Sequence, residues 1–201
     1  MEIKQIDFKY KGERDYIHGT DMFNTLMDTS KSTAIYSNIH FTIHDFVRTA
    51  RCELYVTDNN ESLDTLDDIA VRCQLDIDAI THWLAIAPLA NDNTIKERYA
   101  YDESEIISLC DMLDDGIVLS QLSPFSFIET IVAMNKHMHQ QLFPEVAGKW
   151  IFTRIDLPFS CDARENLALR LRHNMNYRLT KSDIEFNGKK IGDIFFSLVK
   201  L

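Results

Sequence analysis

The sequence predicts an α+β chain of two repeats, each half wrapping a strongly curved antiparallel sheet around one central helix. Three observations predict it. The two halves run through the same order of strand-like and helical stretches. Between Ser123 and Leu142, the residues Phe127, Ile128, Ile131, Met134, Met138 and Leu142 recur at helical spacing, and a helix this apolar needs a sheet curled around it. Each half closes on an apolar hairpin, and the second carries Asn187-Gly188, the dipeptide that suits a two-residue turn with both residues left-handed.

Ile3 to Tyr10 alternates apolar and polar residues as a strand does, and stops at Lys11-Gly12. A short helix is expected from about Gly19, with Gly19 or Thr20 as its cap and Phe23, Leu26 and Met27 as its apolar stripe. Ile39–Ile43 and Arg51–Val56 read as strands, and 57–68 as a polar, acidic loop. Val71–Asp78 and Ile80–Ile86 then form a hairpin that turns near Asp78-Ala79. In the second half, the mixed stretch Arg98–Leu119 holds the first strand, and Ser123-Pro124 opens the long helix with proline at its first position. Lys149–Leu157 and Asn166–Arg172 are strands, and Asp183–Phe196 is the closing hairpin. The repeats are expected over 1–95 and 96–201, offset by about 110 residues, the size of one small domain. A single α+β domain with a helical middle third is the other architecture this pattern allows.

Composition sets the function classes. With 201 residues, 45% of them hydrophobic and only six Gly and four Pro, the chain reads as globular. A net charge of −10 argues against nucleic acid and anionic membrane as partners. Within that acidic average, Arg164, Arg170, Arg172, His173, Arg178 and Lys181 form a basic cluster, which reads as solvated strand faces or as a landing strip for an anionic carrier group. Cys52, Cys73, Cys110 and Cys161 lack zinc-site spacing. His137 and His139 fall on different helix faces, and His40 and His44 share a strand face without further ligands, so no metal is expected. No apolar run reaches the ~18 residues of a membrane span, and Met1–Asp7 has no apolar signal core. A cytoplasmic protein with reduced thiols, monomer or homodimer, is expected.

Tyr16-Ile17-His18-Gly19-Thr20-Asp21-Met22-Phe23-Asn24 and Phe127-Ile128-Glu129-Thr130-Ile131-Val132-Ala133-Met134-Asn135 resemble hotdog acyl-thioester proteins. The second segment is similar to the central helix of the β-hydroxyacyl-acyl-carrier-protein dehydratases, and Asn187–Phe195 resembles the last hairpin of hotdog thioesterases and dehydratases. As a whole-chain pattern the sequence is similar to double-hotdog acyltransferase/decarboxylase-like proteins of polyketide clusters. The dehydratase frames themselves differ: Met22 stands where glycine is expected four residues after His18, and Ala133 follows Glu129 at the position of Gln or His. The resemblance implies a substrate carried on CoA or acyl carrier protein, no cofactor of the protein's own, and acyl transfer or decarboxylation, dehydration, or hydrolysis, in that order. The alternative is a non-catalytic hotdog module that binds an acyl ligand or a protein partner.

The candidate catalytic residues are His18, Asp21 and Glu129. His18 precedes a helix start, where an imidazole of pKa about 6.5 is a usable base and backbone N–H groups polarise a carbonyl; it also reads as a capping or surface histidine. Asp21 sits on the same first turn, where the helix dipole alone favours a carboxylate. Glu129 lies in an apolar run, where burial would raise its pKa, or else belongs to a polar helix stripe with Thr130 and Lys136. A double hotdog draws one group from each half, which pairs His18 with Glu129. Tyr16, Gly19 and Asn135 are expected to orient a thioester, Met134 and Met138 to line an acyl tunnel, and Arg170 and Arg172 to meet a phosphopantetheine.

Overall fold

The computed structural model describes residues 1–28, 36–89 and 97–200, in two compact units, Met1–Tyr101 and Asp102–Leu201. The boundary expected between 95 and 96 lies outside the described residues. In the first unit the chain runs β1 (Glu2–Asp7), β2 (Tyr10–Lys11), α1 (Gly19–Asp28), β3 (Tyr36–Ile43), β4 (Arg51–Thr57), α2 (Glu61–Asp64), β5 (Val71–Ile77), β6 (Ile80–Pro88) and β7 (Arg98–Tyr99). The second runs α3 (Ser104–Ile107), β8 (Cys110–Met112), β9 (Gly116–Leu119), α4 (Phe127–Leu142), β10 (Lys149–Phe159), β11 (Leu167–Asn174), β12 (Thr180–Phe186) and β13 (Lys189–Val199). No helix among the described residues is long and apolar enough to cross a membrane.

Five strands of the first unit pair antiparallel in the order β1-β4-β6-β5-β3. In the second unit the order is β8-β9-β11-β12-β13-β10. Both units contain the hairpin that the sequence predicts, β5–β6 and β12–β13, with Asp78-Ala79 and Asn187-Gly188 all at positive φ, as the tight turn requires. The hairpins enter their sheets the opposite way round, so the shared order of elements along the chain does not carry over into strand order. Connection length is the cause. Residues 58–70 are enough for a crossover, so β4 and β5 both flank β6 and run parallel to each other. Residues 175–179 are too few for one, so β11 turns directly back into β12.

The 57–68 segment is more than a polar loop. It carries α2, and its Leu63, with Leu66 and Ile69, packs on Tyr55, Trp83, Ala85 and Ala87. By strand alternation those β6 residues face away from Leu84 and Ile86, so the crossover shields the sheet face opposite α1, whose Phe23 ring meets Phe41 edge-on at 5.3 Å.

The long helix starts three residues later than Ser123-Pro124. Ser126 is its N-cap, in extended backbone, and it shares a capping box with Glu129. Ser123 instead takes the Thr130 hydroxyl at 2.8 Å and fixes the preceding loop. Helix α4 packs against β9, β10 and β11, and buries Phe127, Ile128, Ile131, Met134 and Met138. Lys136 pairs with Glu103 at 2.7 Å and ties the α3 region to α4.

Candidate functional site

At the start of α1 the local sequence builds a polar cluster inside the first unit. The His18 carbonyl accepts from the N–H of Asp21 at 3.0 Å and of Met22 at 3.3 Å, so His18 stands at the cap position. Gly19 and Thr20, the expected caps, are already helical and buried. Thr20 is used otherwise: its Oγ1 lies 2.7 Å from His18 Nδ1 and receives the Lys11 ammonium at 3.0 Å.

Lys11 is fully buried, the least expected feature of the unit. It also donates to Asp21 Oδ1 at 2.9 Å, and its Nζ lies 4.3 Å from the Tyr101 ring centroid. The Tyr99 hydroxyl donates to Asp21 Oδ2 at 2.7 Å. The ladder that carries Tyr99 is β2 paired in parallel with β7, two residues before Tyr101, and it is braced by Arg98, whose guanidinium donates to the carbonyls of Gly12 and Arg14, both at 2.9 Å. The sequence points to His18 and Asp21 and gives Thr20 only as a cap, but it does not single out Lys11, Tyr99 or Tyr101. The one signal available was a pair of tyrosines two apart, Tyr99 at the end of β7 and Tyr101 just beyond it.

This geometry constrains the imidazole. Thr20 has a single hydroxyl proton, and His18 Nδ1 at 2.7 Å is closer to it than Asp21 Oδ1 at 3.4 Å. Given to Nδ1, that proton leaves the neutral ring protonated at Nε2. His18 is 8% exposed, at the end of a ten-residue helix whose dipole favours negative charge there. Asp21 is hydrogen-bonded through both oxygens. Tyr16 is buried and packs edge-on against Phe46 at 4.8 Å.

Glu129 lies in the second unit, as His18 lies in the first. Its Oε2 accepts from the Ser126 N–H at 3.0 Å and from the Ser126 hydroxyl at 2.6 Å, and the residue is half-buried. The carboxylate expected to be stranded in an apolar run thus closes the helix's own capping box. Met134, Met138 and Asn135 are wholly buried. Arg170 and Arg172, by contrast, face outward in a ladder of opposite charges: Arg170 meets Asp115 at 2.9 Å, and Arg172 meets Asp183 at 2.6 Å. Partial burial pushes Asp183 up, but hydrogen bonds from Lys190 and Arg172 outweigh it and hold the carboxyl down at about 2. An incoming phosphate would have to displace these carboxylates.

His139, two positions from His137, is a core residue. Its Nδ1 donates to the Asn135 carbonyl at 2.6 Å, and its Nε2 lies 2.7 Å from the Thr180 hydroxyl. The ring packs on Trp150 at 4.4 Å and stacks on Phe196 at 5.7 Å. Burial pulls its pKa below the usual histidine range, opposed in part by the Asn135 carbonyl. A group whose folded pKa is depressed contributes stability above its unfolded pKa and loses it as pH falls toward the folded value. The urea midpoint is therefore expected to drop as pH falls from about 7 to 5, and His139→Gln to flatten that dependence. An equal slope in the variant would remove His139 as its source.

Burial raises the thiols, Cys52 to about 11 and Cys73 and Cys110 to about 12, which leaves them poor nucleophiles. Among the described residues no three His, Cys, Asp or Glu side chains are grouped to hold a metal ion.

No protein-family model matches the chain, and no curated protein matches it in sequence. Solved structures do match in fold. A candidate thioesterase II from Thermobifida fusca aligns over 100% of this chain and 93% of its own, with a TM-score of 0.51 at 11% identity. The dehydratase domain of PpsC from Mycobacterium tuberculosis, solved with C12:1-CoA, aligns over 98% of this chain and 92% of its own, with a TM-score of 0.50 at 8% identity. The two proteins are named for different activities, and what this chain shares with both is the fold alone, the hotdog fold.

Proposed function

We propose that the chain is a double-hotdog protein, one hotdog per unit, that acts on acyl thioesters carried by CoA or an acyl carrier protein, with His18 polarising the thioester carbonyl. The observation that carries this reading is the clamp on His18: Lys11 to Thr20 to Nδ1, at the N-terminal end of α1. With the Thr20 proton given to Nδ1, the neutral ring carries its own proton at Nε2, and the helix dipole adds to the pull on a developing oxyanion.

That arrangement favours decarboxylation of a 2-carboxyacyl (malonyl-type) thioester over dehydration. Both catalytic carboxylates named from the sequence are engaged locally, Asp21 with Lys11 and Tyr99 and Glu129 with Ser126. Dehydration needs a base at the α-carbon and an acid at the leaving hydroxyl. Decarboxylation needs neither. The bond from the α-carbon to the carboxylate breaks, carbon dioxide leaves, and the electron pair enters the thioester as an enolate whose oxygen His18 holds. A proton from solvent then restores the α-carbon. The same engagement of the carboxylates favours a second reading, a hotdog module that binds an acyl ligand without turning it over.

The test is mass analysis of malonyl-CoA, 3-hydroxyacyl-CoA and saturated acyl-CoA incubated with the protein. Malonyl-CoA is expected to lose carbon dioxide, and His18→Ala to slow the loss roughly a hundredfold or more, while Glu129→Gln, which keeps the capping box, leaves the rate unchanged. Tight binding with no mass change in any substrate selects the binding module. Undiminished turnover by His18→Ala would sink the assignment of His18.

A further inference from the structure

In the second unit, Asn135 is fully buried, and neither its Nδ2 nor its Oδ1 has a hydrogen-bond partner among the described residues. The Ser182 hydroxyl is in the same condition. Orphaned buried amides are rare because each unmade hydrogen bond costs about 1–3 kcal/mol.

The two residues belong to one layer between α4 and the sheet. On the helix, Asn135 lies one turn before His139, on the same face. On the sheet, Ser182 lies two residues after Thr180, and so also on the same face. His139 touches Thr180 at 2.7 Å, and one turn further along the helix the Phe143 ring meets Tyr177, which precedes Thr180, at 5.2 Å. Strand β12 therefore runs against the helix direction here, and its step from Thr180 to Ser182 follows the helix's step from His139 back to Asn135. In register with Ser182 is the fully buried Ile194, itself paired with the fully buried Ile155. Apart from the paired His139 and Thr180, the polar groups of this layer are one amide and one hydroxyl, both unpartnered among the described residues.

We infer that Asn135 and Ser182 form an internal subsite for an oxygen on a ligand's acyl chain, so that the chain selects hydroxylated or keto acyl groups over plain saturated ones. Asn135 supplies donors and an acceptor, and Ser182 supplies one of each, a set that matches a hydroxyl in either direction and a keto oxygen through the donors. This rests on the reading that the ligand is an acyl chain. A site built to hydrogen-bond an oxygen discriminates against the analogue that lacks it, because its own polar groups are then left unpaired.

The test compares decanoyl-CoA with decanoyl-CoAs hydroxylated at the third, fifth or seventh carbon, bound to the full chain and to Asn135→Leu and Ser182→Ala, with melting temperatures measured without ligand. At least one hydroxylated probe is expected to bind about tenfold more tightly than decanoyl-CoA, and Asn135→Leu to reduce that preference to about twofold or less. The same variant is expected to melt roughly 2–4 °C higher, because leucine of similar size removes an unsatisfied amide. Decanoyl-CoA binding as well as every hydroxylated probe overturns the subsite and leaves the acyl reading standing. No binding by any probe overturns both. An Asn135→Leu that melts lower with its preference intact shows the amide to be a structural group, satisfied by an internal water, and also overturns the subsite.

Discussion

Lys11→Met is expected to lower the unfolding free energy of the first unit by roughly 3 kcal/mol, because it removes one member of a buried charge pair and leaves the other. The ammonium is fully buried and is held by Thr20, Asp21 and the Tyr101 ring, whereas the Asp21 side chain is only 15% exposed. With methionine in place, the stem still packs but the Asp21 carboxylate keeps only neutral partners, the Tyr99 hydroxyl at 2.7 Å and the Thr20 hydroxyl at 3.4 Å. The sign of a second substitution tests the cause. Lys11→Met with Asp21→Asn should regain most of the loss, since asparagine carries no stranded charge. Urea unfolding followed by tyrosine and tryptophan fluorescence reads both. A Lys11→Met midpoint equal to wild type would show that the ammonium contributes nothing net.

Gly192→Ala is the second large effect, at about 2–3 kcal/mol of destabilisation. Gly192 has no left-handed backbone, so dihedral strain is not the issue. A Cβ there would lie 2.5 Å from the Asp156 carbonyl oxygen and 2.6 Å from Leu157 Cδ2, and the backbone oxygen belongs to the paired strand β10 and has nowhere to go. Gly188→Ala is the control, because nothing lies within 4 Å of its Cβ but its φ is +72°. It should lose only about 1 kcal/mol, from backbone conformation alone. Thermal unfolding that ranks Gly188→Ala as the more damaging change would contradict the packing argument.

The strands were legible in the sequence because burial on one face writes itself as alternation. Ile39–Ile43 and Leu167–Arg172 alternate, and both are strands; Asp78-Ala79 and Asn187-Gly188 announce turns and make them. Strand order was not legible. Periodicity states which residues of β12 and β13 face inward, but not which of the two strands lies beside β11. That is decided by the length of the preceding link, which a reading by element type passes over. The site was legible only at its anchors. His18 is visible because histidine before a helix is chemically conspicuous, whereas Lys11 is made special by Tyr99 and Tyr101, some ninety residues away in the chain. Glu129 misled for a related reason. A carboxylate in an apolar run looks stranded until the helix start is known to be Ser126, three residues earlier, after which it is a cap.

The opposite insertion of the two closing hairpins sets different assembly schedules for the two halves. In the second, β11, β12 and β13 form a meander in which each strand adds to its predecessor as it leaves the ribosome. In the first, β6 is the keystone, wedged between β4 and β5. Until residues 80–88 have been synthesised, the β1–β4 ribbon and the β3–β5 ribbon have nothing to join them, and each presents an unpaired edge that a chaperone or a neighbouring nascent chain would find first.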